Sequence, residues 1–294
     1  MKKVLAIVLA AALCLALFAA CGTPATTDDT TAAPTVGSTA ADDTTAAADA
    51  KLTATEGVLV MATNAAFPPY EFKEGDNFAG IDVEIATAIA EKLGLTLEIQ
   101  DVEFGSIVGG VQTGKFDIGM AGMTVTEKRL KSVNFSESYA KGIQSVIVPE
   151  GSDLTKFDDV YSEFDAEGNP AAVKEGIIIG VQQDTTGDIY CSSDPADFGV
   201  GEANVIRYKV GADAVQALKA GKVSAVVIDN EPAKSFVAAN EGLKILDTAY
   251  TEENYAIAIA KENTALLDAV NGALKALTEE GKVAEIIAKY IPAE

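Results

Sequence analysis

The order strand, helix, strand, helix, strand occurs twice in this chain, about a hundred residues apart, and no other feature restricts the fold as strongly. In the first run, Val58–Thr63 (VLVMAT) is a short apolar stretch that reads as a buried strand. Ile81, Ile85, Ile89 and Leu93 then recur every four residues with Asp82, Glu84, Glu91 and Lys92 between them, the pattern of an amphipathic helix with Gly94 as its C-cap. Leu95–Ile99 alternates as a strand, Ser106 is expected to cap a short helix that stops at Gly114, and Phe116–Ala121 is the next strand. The second run repeats the order: a strand at Ile177–Gln182, a helix from Thr186, a strand at Asn204–Val210, a helix over Asp213–Ala220 ended by Gly221, and a strand at Ser224–Ile228. Residues 111–116 and 218–223 echo one another as helix end, Gly-Lys and strand start. Five elements in matching order predict two similar α/β lobes. The tail carries a helical stripe of Leu267, Val270, Leu274 and Leu277, resumed after Gly281 by Val283, Ile286, Ile287 and Tyr290. The strand Tyr255–Ala260 before it is expected to return the chain to the first lobe. Two crossings make a hinge, and a hinge makes a closing cleft. The expected boundaries are 51–141 with 253–294 for the first lobe and 142–252 for the second.

Ahead of this body, residues 1–20 read as an export signal: Lys2 and Lys3, then an apolar run from Val4 to Ala20. The run ends in Leu17-Phe18-Ala19-Ala20-Cys21, which resembles a bacterial lipobox with Phe18 in place of the usual leucine. Lipidation of Cys21 is therefore expected, and two acyl chains suffice for stable anchoring. An ordinary cleaved signal followed by a chance cysteine is the alternative. Residues 21–50 are that cysteine and a tether of Thr, Ala and Asp, which has no periodicity and cannot bury a core. The 294 residues carry a formal charge of −22, which opposes binding to nucleic acid or to anionic lipid. Histidine is absent, so the usual general base and Ser-His-Asp catalysis are excluded. Cys191 is the single cysteine of the body. That rules out an internal disulfide there and any zinc site built from Cys and His, and no metal or cofactor is expected.

Ligands of open α/β sheets sit beyond the carboxyl ends of strands. That rule selects four segments. Asn64 to Tyr70 follows the first strand, where a Pro pair stiffens the loop and can present Phe67 outward. Gly122 to Arg129 follows the third, where Thr126 can cap a helix and Thr124 and the backbone amides face the cleft. Arg129 and Arg207 are the two arginines among 22 basic residues. A guanidinium fork matches a carboxylate bidentately, as lysine cannot. In the second lobe Gln182 to Gly187 precedes a helix whose free amides favour an anion. Asp229 ends the last strand as either a helix cap or an acceptor for a ligand ammonium. An anion clamp in one lobe and an acceptor in the other describe a site for a zwitterion.

From about Leu52 to Ile291 the chain resembles the amino-acid-binding class of bacterial extracellular solute-binding proteins that feed ABC importers, with a periplasmic-binding-protein type II fold. The segments TNAAFPPYEF (Thr63–Phe72), GIDVEIATAIAEKLG (Gly80–Gly94), AGMTVTEKR (Ala121–Arg129) and VVIDNEPA (Val226–Ala233) carry the resemblance. It implies that Arg129, helped by Thr124 and Thr186, holds a ligand α-carboxylate, and that Asp229 and the Gly122 carbonyl accept the α-ammonium. Phe67 and Phe104 would sandwich the side chain. Asn64 stands where relatives that bind cationic or amide side chains often carry Asp, and its neutrality disfavours Lys or Arg. Phe67, Phe104 and Gly122 are most similar to glutamine-binding members, although Gln182 and Ile228 depart from the polar side chains expected there. Asp184 stands where many members have Gly, and it is expected to point out of the cleft. The implied protein is a monomeric, lipid-anchored amino-acid receptor on the outer face of the cell membrane, partnered by permease subunits. A dehydratase-like enzyme of the same fold is the alternative, although the sequence offers no reason for Asp229 or Asp184 to hold a proton. A partnered sensor is another.

Overall fold

Two parallel-stranded sheets with the same strand order form the body. The computed structural model describes residues 52–247 and 251–292; the apolar leader, Cys21 and the Thr/Ala/Asp stretch lie outside the described residues. The first sheet runs Thr96–Asp101, Val58–Thr63, Ile118–Gly119, Ala258–Ala260 and Val133–Phe135. Its first three strands are parallel, and Ala258–Ala260 is antiparallel to both neighbours. The second runs Val205–Tyr208, Ile179–Gln182, Ala225–Asp229, Ala140–Pro149 and Leu243–Ile245. Again the first three strands are parallel and the long fourth is antiparallel. In each sheet the first of the three parallel strands in sequence lies between the other two, so their carboxyl ends lie at one edge of the sheet.

The helices follow from apolar periodicity. Helix α1 (Ile81–Lys92) buries Ile81, Ile85 and Ile89 completely. Each contributes about 1.5–3 kcal/mol relative to exposure. Gly94 takes φ 68° just past its end, the left-handed turn that glycine adopts without Cβ strain. Helix α2 (Phe104–Gln112) starts two residues before the expected Ser106 cap, with Glu103 in the capping position, so Phe104 opens the helix at the sheet edge. The short α3 (Glu127–Leu130) is capped as expected, Thr126 Oγ1 accepting from the Arg129 N–H at 3.2 Å. In the second lobe lie α4 (Thr186–Ser192), α5 (Gly211–Lys219) and α6 (Asn230–Ala238). Helices α7 (Thr264–Glu279) and α8 (Lys282–Tyr290) bury Leu266, Val270, Leu274, Leu277, Val283 and Ile286 in the same apolar cluster as α1. Cys191 is fully buried in the second lobe, and burial pushes its thiol pKa far up, which suppresses the reactive thiolate.

The chain passes between the sheets twice. It leaves the first sheet after Phe135 and enters Ala140–Pro149; it returns through Thr251–Tyr255 to Ala258–Ala260. The two crossings pair antiparallel, Ala140 opposite Tyr255 and Gln144 opposite Thr251. The expected strand Tyr255–Ala260 is thus divided, its first residue ending the crossing and its last three joining the first sheet. Among the described residues no helix is long and apolar enough to cross a membrane.

Candidate functional site

All eight residues proposed from sequence, Asn64, Phe67, Phe104, Gly122, Thr124, Arg129, Thr186 and Asp229, line one inner cavity, together with Glu71, Ala121, Gln182 and Thr185. The strand ends explain the convergence. Asn64 follows Val58–Thr63, Gly122 and Thr124 follow Ile118–Gly119, Gln182 ends Ile179–Gln182, and Asp229 ends Ala225–Asp229. The lobes touch across this cavity. Gln182 Nε2 donates to Asn64 Oδ1 at 2.9 Å, and Arg129 Nη2 donates to the Asp184 carbonyl at 3.1 Å. Lys209 and Glu103 pair at 2.6 Å on the exposed rim. The enclosed space is about 10 Å³, the room of one water. Any ligand larger than water therefore enters by parting of the lobes.

Arg129 is 7 % exposed. Its Nη1 donates to the Thr124 carbonyl at 2.7 Å, and its guanidinium lies 5.1 Å from the centre of the Phe104 ring. Burial lowers its pKa, while Glu253 and Asp229 act in the opposite sense; a guanidinium remains charged there. Asp229 is buried at the start of α6 but makes no capping bond. Its carboxylate takes the Tyr255 hydroxyl instead. That leaves the acceptor reading of Asp229 in place and removes the cap. Burial, reinforced by the charge of Glu253, pushes its pKa up to about 7 against the Tyr255 bond. The structure thus supplies the reason for a proton on Asp229 that the sequence lacks.

Two expectations are adjusted. The anion at the start of α4 is the chain's own Asp188: its Oδ2 accepts the Asp184 N–H at 2.9 Å, and both its oxygens accept from Arg207 Nε. Asp184 sits in the left-handed region, φ 64°, and lines the outer cleft with Asp188 and Arg207 rather than the inner cavity. Only its carbonyl reaches Arg129.

Sequence reasoning missed Glu253 and Gln144. Glu253 is 4 % exposed on the second crossing. Its carboxylate accepts the Thr124 hydroxyl at 2.9 Å, Gln144 Nε2 at 3.0 Å and the Tyr190 hydroxyl at 2.9 Å. Gln144 Nε2 also reaches Thr186 Oγ1 at 3.3 Å. Two crossing residues thereby join the threonines of opposite lobes. Strand alternation puts Glu253 on the same side as Tyr255, the one signal that could have found it. Gln182 Oε1 is buried and unpaired in the cavity wall.

Two sheets of this topology joined by paired crossings, with polar groups of both lobes turned into one cavity, define a two-lobe binding protein. The model of bacterial extracellular solute-binding proteins, family 3, matches residues 59–293, and the chain belongs to that family. It is 30 % identical over 239 residues to the arginine-binding extracellular protein ArtP of Bacillus subtilis, covering 80 % of this chain and 87 % of that one. It is 28 % identical over 221 residues to the ABC transporter glutamine-binding protein GlnH of the same organism, covering 73 % and 74 %. A solved structure of an ancestral arginine-binding protein bound to glutamine superposes with a TM-score of 0.71 at 33 % identity, covering 81 % of this chain and all of that one. The family is exported, and its amino-acid-binding members stand where the sequence resemblance pointed.

Proposed function

We propose that this chain captures a free L-amino acid between its lobes and delivers it to the permease of an ABC importer. The observation that carries the reading is the placement of Arg129 from one lobe and Asp229 from the other in one small cavity walled by Phe67 and Phe104. Arg129 takes the α-carboxylate. Thr186 assists with its hydroxyl, and Thr124 joins once its proton turns from Glu253 to the cargo. Asp229 and the Gly122 carbonyl take the α-ammonium, and the two phenylalanine rings enclose the side chain. At its end stand two neutral amides, Asn64 and Gln182. The free Gln182 Oε1 accepts an N–H or O–H of a polar cargo, and the lack of charge on Asn64 and Gln182 favours a neutral one such as glutamine. The first lobe comprises 51–141 and 253–294, the second 142–252. Residues 1–20 direct export, and Cys21 anchors a monomer through the 21–50 tether to the outer face of the membrane.

The test is a thermal-shift screen of the full chain against the proteinogenic amino acids, D-alanine, cystine and ornithine. Cargo at a hundred times its Kd stabilises by about 2.7 kcal/mol. A shift with one or a few L-amino acids, lost with their decarboxylated amines, supports the reading; no shift with any of them refutes it. The raised Asp229 favours one rival, a dehydratase-like reaction in which a buried acid protonates a leaving group. Product formed from prephenate or arogenate would establish it.

A further inference from the structure

Beneath the cleft the side chains of Glu71 and Asp82 lie within hydrogen-bonding reach of each other, with no cation among the described residues paired to either. Glu71 follows the Phe67 loop on the small strand Glu71–Glu74 and lines the inner cavity; Asp82 stands in the first turn of α1. They are 1 % and 0 % exposed. Asp82 Oδ2 accepts the Gly122 amide N–H at 2.8 Å and the Tyr139 hydroxyl at 2.9 Å. Of the other three oxygens, Glu71 Oε2 and Asp82 Oδ1 are buried and receive no N–H or O–H. The titratable neighbours are Asp229 from the second lobe, Tyr139 beside the first crossing and Tyr70 beside Glu71. None is a cation. Two carboxylates in contact cannot both remain ionised in a dry site. One proton between the two orphaned oxygens turns one of them into a donor and satisfies both. Asp82 already holds two donors that stabilise its anion and Glu71 holds none, so the proton belongs on Glu71.

We propose that Glu71 and Asp82 share a single proton, held on Glu71 and donated to Asp82, and that this pair is a positioning device of the binding site. It leaves the cavity wall at Glu71 without charge. Through Asp82 it fixes the Gly122 amide, and so the Gly122 carbonyl, and ties that turn to Tyr139 where the chain leaves the first lobe. The pair itself needs no cargo; only the role of Gly122 rests on the function proposed above. Burial and the adjoining charge of Asp82 raise the Glu71 pKa well above the carboxylate range, in keeping with this arrangement.

The test is the infrared spectrum of the full chain, without amino acid, at a pH of about 8.5, where Asp229 and Asp82, each pushed up to about 7, are ionised. A carboxylic-acid C=O band is expected in the wild type and is lost in Glu71→Gln, whose amide still donates to Asp82. Glu71→Gln is also expected to bind L-glutamine or L-arginine, whichever the wild type binds, within about three-fold of wild type, and Glu71→Ala at least about ten-fold more weakly. Should Glu71→Gln fail to fold, Asp82→Asn replaces it, because loss of the paired carboxylate must abolish or move the band. No acid band in the wild type, or a band unchanged in the variants, overturns the proposal and leaves the cargo reading untouched. A band without any amino acid binding would do the reverse.

Discussion

Replacing Arg129 tests the site most directly. Its guanidinium has five N–H donors, of which two go to the carbonyls of Thr124 and Asp184. Three remain, enough for a bidentate carboxylate. The side chain is buried beside Glu253 and Asp229, and the second carbonyl belongs to the opposite lobe, so the proposed cargo ligand Arg129 also joins the lobes. Removing one partner of a desolvated ion pair costs about 2–5 kcal/mol, which is about thirty-fold to several thousand-fold in Kd. Arg129→Ala is expected within that range and toward its upper end. Arg129→Lys is expected to recover part of the loss, since an ammonium cannot serve both oxygens and the Asp184 carbonyl together. The melting temperature without cargo should stay near wild type, because the variant also removes a cation whose burial is unfavourable. Isothermal titration with the amino acid found in the screen, paired with thermal melts, separates the two effects. A Kd within about three-fold of wild type for Arg129→Ala, in protein that melts normally, would refute the assignment of Arg129 to the cargo carboxylate.

Burial and the charge of Glu253 push the Asp229 pKa up to about 7, so affinity should fall as pH drops from about 8 to 5, where its carboxylate is protonated and no longer attracts an ammonium. The cargo-free fold should respond oppositely. A buried acid whose pKa is raised above its unfolded value destabilises the fold once ionised, so melting should move upward on acidification through 7 toward the unfolded pKa of about 4, and Asp229→Asn should flatten both profiles. Glu253→Gln keeps an acceptor for the Thr124 hydroxyl but removes a charge that raises Asp229, and titrations should show the acid limb of binding displaced to lower pH. Gly122→Ala places a methyl 2.9 Å from the Phe67 ring at φ 51°, and calorimetry should show at least a ten-fold loss of affinity. Gly142→Ala puts a methyl 2.3 Å from the Tyr255 hydroxyl at the crossing, and a lower melting temperature should follow from the displaced ring.

The elements of this fold were legible where periodicity was strong and less so where pairing decided them. Val58–Thr63 agrees residue for residue, because an apolar run flanked by Gly57 and Asn64 admits one reading. Phe116–Ala121 keeps regular strand pairing only at Ile118 and Gly119, although Asp117 and Met120 still donate to the Val60 and Ala62 carbonyls. Seven of the eight proposed cleft residues lie in segments that directly follow strands, so local order implies their position; Phe104 entered only through the family resemblance. Glu253, Gln144 and the Glu71–Asp82 pair were not. Each is a polar residue within or beside a regular element, and sequence alone reads it as solvated; Asp82, Gln144 and Glu253 are paired with partners 40 or more residues away. What the sequence lacks is therefore the protonation of the site rather than its composition. Asp229, Glu71 and Asp82 are ordinary acids until both lobes, the crossing strands and α1 remove water from them. Burial around one arginine raises the pKa of all three acids, and that chemistry is a property of the closed pair of lobes.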